Sequence, residues 1–301
     1  MTLQLKMLKK FDKNIQKNIK LSNFSWFNLG GPAEYFFKPE NKKQLVEFFK
    51  ENQKTKLKIT ILGAGSNTLI RDKGVKGIVV KLGSSFSKIN LIDKTTIEVG
   101  AATLDRKVAN FAMANNIGGF EFLACIPGSI GGAIIMNSGC FDSDISKVVH
   151  SISVINVKTS LEKEITKDEI DFFYRGSSLP ETFIITSVKL KGYHASSTQI
   201  KKKQVEMIEK KKLSQPSQIK TCGSTFKNIN KQKKAWKLIK ETGCENFQEG
   251  DASISKKHCN FFVNNGKAKS SDIEKLINRV RQKVEDKTGV NLELEIKIIG
   301  E

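Results

Sequence analysis

The sequence predicts an α+β fold. Three observations carry that prediction. Short strand-like runs alternate irregularly with amphipathic helical stretches. The first Gly-rich turn lacks the long helix that a doubly wound sheet places after it. The C-terminal run Asn291–Ile299 alternates cleanly, with Leu292, Leu294, Ile296 and Ile298 on one side and Glu293, Glu295 and Lys297 on the other.

Taken in order, residues 41–53 suit a helix that follows Pro39. Lys58–Leu62 is a short strand that stops at Gly63-Ala64-Gly65-Ser66-Asn67. A dinucleotide fingerprint needs a third glycine and a helix. Here the chain instead passes Thr68-Leu69-Ile70, turns at Asp72-Lys73-Gly74 and returns as a strand over Gly77–Leu82. Consecutive amides and the Ser66 hydroxyl still suit a phosphate. Thr96–Gly100 is a strand, and Leu104–Asn115 a helix with Leu104, Val108, Phe111 and Ala112 on one face. The tract Pro127–Gly139 then gathers Gly128, Gly131, Gly132 and Gly139. Such a density of glycine fits either a buried tight turn or a loop whose amides cradle phosphate oxygens. Strand-like runs at Ile152–Val157 and Thr182–Leu190 flank Ile170–Leu179. Residues 199–213 form a polar helix, read as a solvated connector, and 233–241 a further helix. The last helix starts near Ser270/Ser271 with Asp272 in its first turn. It buries Ile273, Leu276, Ile277, Val280 and Val284 and ends at Gly289.

A chain of 301 residues, 39% hydrophobic and 27% charged, reads as soluble and globular with two or three domains. No apolar run approaches the roughly 18 residues of a membrane span. Met1–Lys10 is basic and mildly amphipathic without an apolar signal region, so a cytoplasmic, non-membrane protein is expected. Cys125, Cys140, Cys222, Cys244 and Cys259 are scattered, which predicts free thiols. Three histidines lie too far apart for a metal cluster, and no metal is expected.

The net charge of +20 raises a polyanionic partner. Of the 51 Lys and Arg, however, only Arg71, Arg106, Arg175, Arg279 and Arg281 are arginine. Nucleic-acid sites favour the guanidinium fork, so this lysine surface argues against a nucleic-acid partner and fits attraction of small anions. A surviving arginine in such a chain marks a place where a planar fork matters, and Arg175 is singled out.

Eight segments, taken together and in order, resemble the UDP-N-acetylenolpyruvoylglucosamine reductase family. They are Asn28–Ala33, Leu62–Asn67, Ile126–Gly132, Met136–Gly139, Tyr174-Arg175, Gly223–Asn228, His258–Asn264 and Leu294–Ile296. The resemblance implies a flavin-binding unit of the vanillyl-alcohol-oxidase type in two parts, 1–85 and 86–195. A connector at 196–213 and a substrate-binding domain at 214–301 follow. It implies non-covalent FAD, NADPH as co-substrate, and reduction of UDP-N-acetylglucosamine enolpyruvate to UDP-N-acetylmuramate for peptidoglycan, by a monomer.

The same resemblance assigns residues. Gly63, Ala64, Gly65, Ser66 and Asn67, with Pro127, Gly128, Ser129, Gly131, Gly132 and Asn137, would hold FAD. Arg175, Ser224 and Glu295 would be catalytic: charge stabiliser, proton donor and glutamate with a raised pKa or a shared proton. Alternation alone does not separate Glu295 from Glu293. Arg175, Lys227, Asn228 and Asn260 would bind the sugar nucleotide, while His258 reads as a packing residue. Cys125, the Cys140-Phe141-Asp142 turn and Ile229 depart from the family pattern. The short interval between Arg175 and Ser224 matches the branch that lacks a tyrosine-bearing loop. A flavin oxidase of the same superfamily is the nearest alternative, disfavoured because no histidine lies in 63–67 or 127–139 to tether the flavin.

Overall fold

The computed structural model describes residues 3–230 and 232–301, with side chains from Met7 onward. The basic N-terminal stretch begins outside the described residues at Met1 and Thr2. From Leu3 to Lys10 it is helical. The chain divides into two compact units. The first holds 1–17, 35–64 and 77–211, and the second 18–34, 65–76 and 212–301.

The first unit is built on a five-stranded antiparallel sheet, in the order Glu162–Thr166, Val149–Asn156, Phe183–Lys191, Thr96–Gly100, Ile89–Leu91. Its register aligns Ile165, Ile152, Val188, Val99 and Ile89 in one row across the strands. Because strand side chains alternate, that row gives one continuous apolar face. Helix Asp105–Ala114 buries Val108, Ala109 and Ala112 in the same core. Leu104 was expected on this face but is 47% exposed, because it sits in extended backbone before the helix begins. A second core gathers Phe11, Phe37, Phe48 and Phe49 against helix Lys42–Thr55, with Phe37 and Phe48 stacked at 4.0 Å. Asn41 caps that helix through Gln44 N. The polar helix at Ser197–Ser214 is more than a solvated connector. Ile200 is buried, and Gln204 donates to the Ala109 carbonyl at 3.1 Å.

The second unit packs helices Ala235–Glu241 and Ser270–Thr288 on the strands Gln248–Glu249, Ala252–Ile254 and Phe262–Asn264. All five predicted apolar residues of the long helix are buried. Its first amides, Ser270 N and Ser271 N, donate to the Asp72 carboxylate, and Gly289 ends it at φ 68°. The C-terminal run alternates as predicted, with Leu292 and Ile296 buried. Only Lys297–Ile299 is regular strand, paired in parallel with Thr68–Ile70. Upstream of it Leu294 makes an isolated bridge to Phe226.

Candidate active site

Half of the Gly-rich tract is helix. Ile130–Met136 forms a short α-helix because Ile130, Ala133 and Ile134, spaced i, i+3, i+4, are buried in the sheet core. Gly131 serves close packing: a Cβ there would lie 3.1 Å from Ala101 Cβ, and its amide donates to the Ala101 carbonyl. The remaining amides are differently placed. Among the described residues no protein acceptor takes the N–H groups of Gly128, Ser129 and Gly132, nor those of Gly63 and Ala64. These two stretches adjoin, since a Cβ on Gly63 would lie 3.2 Å from Ser129 Oγ. The Lys81 ammonium donates to the Gly63 carbonyl and is held below its usual pKa by burial and then by Lys38. Unsatisfied amides beside a cation suit a diphosphate, so the donor set fits the pyrophosphate of FAD.

Arg175 stands on the same unit. The hairpin Phe172–Phe173/Gly176–Ser177 turns through Tyr174 and Arg175, and Arg175 adopts the left-handed region at φ 59°. A non-glycine residue held there costs about 1–3 kcal/mol. The hairpin is pinned to the Gly-rich tract. Asn137 Nδ2 donates to the Phe173 carbonyl at 3.1 Å, Asn137 Oδ1 accepts from Ser146 N, and Ser177 Oγ donates to the Ile135 carbonyl. Asn137, expected to hold FAD, is buried and uses its carboxamide in this brace. The guanidinium lies 5.0 Å from the Tyr174 ring centroid.

The second unit brings Ser224 and Glu295 together. Glu295 N donates to the Thr225 carbonyl at 2.8 Å, Phe226 bridges Leu294, and Ser224 bridges Phe261. Gly223 precedes Ser224 at φ 80° with no atom within 4 Å of a Cβ placed on it, so backbone conformation rather than space calls for glycine. Ser224 Oγ makes no hydrogen bond to protein among the described residues. Asn67 Nδ2 donates to the Glu295 carbonyl at 3.0 Å, tying the 65–67 loop to the same strand. Glu293 is exposed and pairs with Lys227 at 3.3 Å, whereas Glu295 is half-buried, which separates the two glutamates that alternation left equivalent.

Asn260 is 2% exposed and spends its side chain on Phe226, accepting from its N–H at 3.0 Å and donating to its carbonyl at 2.8 Å. It positions the 223–228 segment from below. Asn228 Oδ1 accepts from Ala235 N. His258 packs on Phe261 at 4.8 Å, and burial lowers its pKa. Sequence reasoning missed Lys81, Lys211 and Asp105. Nothing in the local pattern distinguishes these lysines from their many neighbours.

Comparison with known proteins places the chain. A family model described as an FAD-binding domain matches residues 33–162. With the amide-and-lysine cradle, that defines the protein as an FAD-dependent oxidoreductase. A model for the C-terminal domain of UDP-N-acetylenolpyruvoylglucosamine reductase matches 215–299. The chain is 44% identical to the UDP-N-acetylenolpyruvoylglucosamine reductase of Pelagibacter ubique over 99% of its own length and 100% of that protein's. It is 42% identical to the reductase of Orientia tsutsugamushi (strain Ikeda) over 97% of each. The crystal structure of the Thermus caldophilus reductase matches with a TM-score of 0.83 at 30% identity, covering 95% of this chain and all of that one. The chain belongs to the UDP-N-acetylenolpyruvoylglucosamine reductase family, a family of flavoprotein oxidoreductases of peptidoglycan precursor synthesis. No described helix is long and apolar enough to cross a membrane.

Proposed function

We propose that this chain reduces the enolpyruvyl ether of UDP-N-acetylglucosamine enolpyruvate to the lactyl ether of UDP-N-acetylmuramate, with NADPH as reductant. FAD, when bound, supplies the hydride that adds to the enolpyruvyl C3. The remaining work belongs to the protein. Negative charge develops on the α-carbon and its carboxylate, and the Arg175 fork stabilises it there. Ser224 protonates the α-carbon. A serine hydroxyl is a weak acid, so it needs help as its proton leaves. Lys227, three residues on, supplies positive charge, and Glu295 is protonated or shares a proton with a donor rather than standing as a bare carboxylate beside the developing enolate. Lys227 and Asn228 bind the UDP-sugar, and Asn260 acts on it through the segment it clamps.

In this reading residues 1–85 and 86–195 hold FAD and 214–301 take the sugar nucleotide, in a cytoplasmic monomer. The observation that carries the proposal is the Glu295 N–Thr225 O bond, which joins the serine and glutamate segments. The test is NADPH oxidation by the purified yellow protein with and without the UDP-enolpyruvyl sugar. Oxidation that runs equally fast without the sugar overturns the assignment.

A further inference from the structure

Cys125 closes the 3₁₀ turn Glu121–Cys125, immediately before the Gly-rich tract, and Cys140 follows the tract in the short strand Gly139–Cys140. The two thiols act on each other, and Cys140 Sγ donates to the Phe122 carbonyl at 3.4 Å. In a 3₁₀ turn that carbonyl faces the residue three positions on, which is Cys125. Two cations flank the pair. The Lys211 ammonium donates to the Cys125 carbonyl and acts electrostatically on both thiols, and the Arg175 guanidinium acts on Cys140.

We propose that Cys125 and Cys140 are an oxidisable pair whose disulfide closes the Gly-rich tract into a ring and locks it around bound flavin. The tract runs between the two sulfurs, so a single bond constrains its whole length. The co-reactant is a hydroperoxide. The Cys125 thiolate attacks a peroxide oxygen, so an S–O bond forms, the O–O bond breaks and hydroxide leaves. Cys140 then attacks the sulfenic sulfur, so the S–S bond forms, the S–O bond breaks, and water departs with the Cys140 proton. The thiols lose two electrons and the peroxide gains them. The neighbouring Cys140 thiol and the charge of Lys211 lower the Cys125 thiol to about 7, which favours it as the attacking sulfur. Cys222 is the internal control, since burial pushes its thiol up to about 12.

The experiment treats the flavin-loaded protein with a small excess of hydrogen peroxide and maps its peptides by mass. The expected product is a Cys125–Cys140 cross-link with a loss of about 2 Da, and Cys222 remains a thiol. C140S should accumulate a sulfenic acid at Cys125 that dimedone traps. FAD release from the oxidised protein should slow by about tenfold and recover with dithiothreitol. Separate over-oxidation of the two cysteines, or earlier loss of Cys222, overturns the pairing without recourse to any variant. A cross-link that leaves FAD release unchanged overturns the lock.

Discussion

Arg175 and Ser224 are held by opposite means. Arg175 occupies a left-handed turn that a glycine would occupy more comfortably, and its hairpin is kept there by Asn137 of the Gly-rich tract, which donates to the Phe173 carbonyl, and by Ser177, which donates back to the Ile135 carbonyl. Ser224 lies in an extended segment whose neighbours have satisfied backbone bonds, clamped by Asn260 at both the N–H and the C=O of Phe226. One segment carries local strain at the proposed charge stabiliser. The other uses saturated hydrogen bonding around the proposed proton donor. Strain persists only where surrounding structure imposes it, so Arg175 depends on the tract and Ser224 depends on its own sheet.

The largest effect expected is on chemistry at the relaxed site. Ser224→Ala should lower kcat by about 10²–10⁴, the usual contribution of a positioned acid. Its urea unfolding curve should match that of the parent protein, because Ser224 Oγ holds no protein partner among the described residues. A kcat within threefold would remove Ser224 from the mechanism.

At the strained site, activity and stability should part. Arg175→Gly should cost about 10²–10³ in kcat/KM through loss of the proposed charge stabiliser. It should also leave stability unchanged or raise it by up to about 1 kcal/mol, since glycine adopts φ > 0 freely. Arg175→Lys keeps the charge without the fork and should recover only part of the rate. If the glycine variant unfolds more easily, the turn is not strained and the contrast between the two sites fails.

Asn260→Ala tests the clamp. It strips the partners from a buried N–H and a buried C=O, at about 1–3 kcal/mol for each group left unsatisfied. A total loss of about 2–6 kcal/mol is expected from the two groups together, read from the urea midpoint at constant slope. Activity per folded molecule should fall less than in Ser224→Ala, because Asn260 acts through position.

Much of this was legible in the sequence. Periodicity located the helices at 42–55, 105–114 and 270–288 because each carries an apolar stripe that a core demands. The alternation at 291–299 gave the right faces, although most of that run is bridged loop rather than strand. The helical half of 127–139 escaped because its glycines mask a stripe of only Ile130, Ala133 and Ile134. Asn137 and Asn260 stood in motifs as ligand candidates, but a carboxamide that binds a ligand and one that braces a backbone are the same residue type. Only the partners of its oxygen and nitrogen tell them apart.

Asp105 offers the smallest and most local test, because it shows a second tension in the first unit. It opens the helix Asp105–Ala114, its N–H donates to the Gly128 carbonyl at 3.2 Å, and it is fully buried. Among the described residues neither carboxylate oxygen has a hydrogen-bond partner, and burial pushes its carboxyl well above the usual range. The unfolded chain releases this proton near its ordinary value of 3.8, while the folded chain retains it. Between those two points the folded state binds the extra proton, so stability falls as pH rises through the window and levels off above it. Asp105→Asn removes the titration. Relative to the parent it should stabilise the protein by about 1–2 kcal/mol at pH 7, and the difference should shrink as pH falls toward 4. Urea unfolding of both proteins across that range reads the sign directly. A difference that grows on acidification would mean that the carboxylate is ionised in the fold.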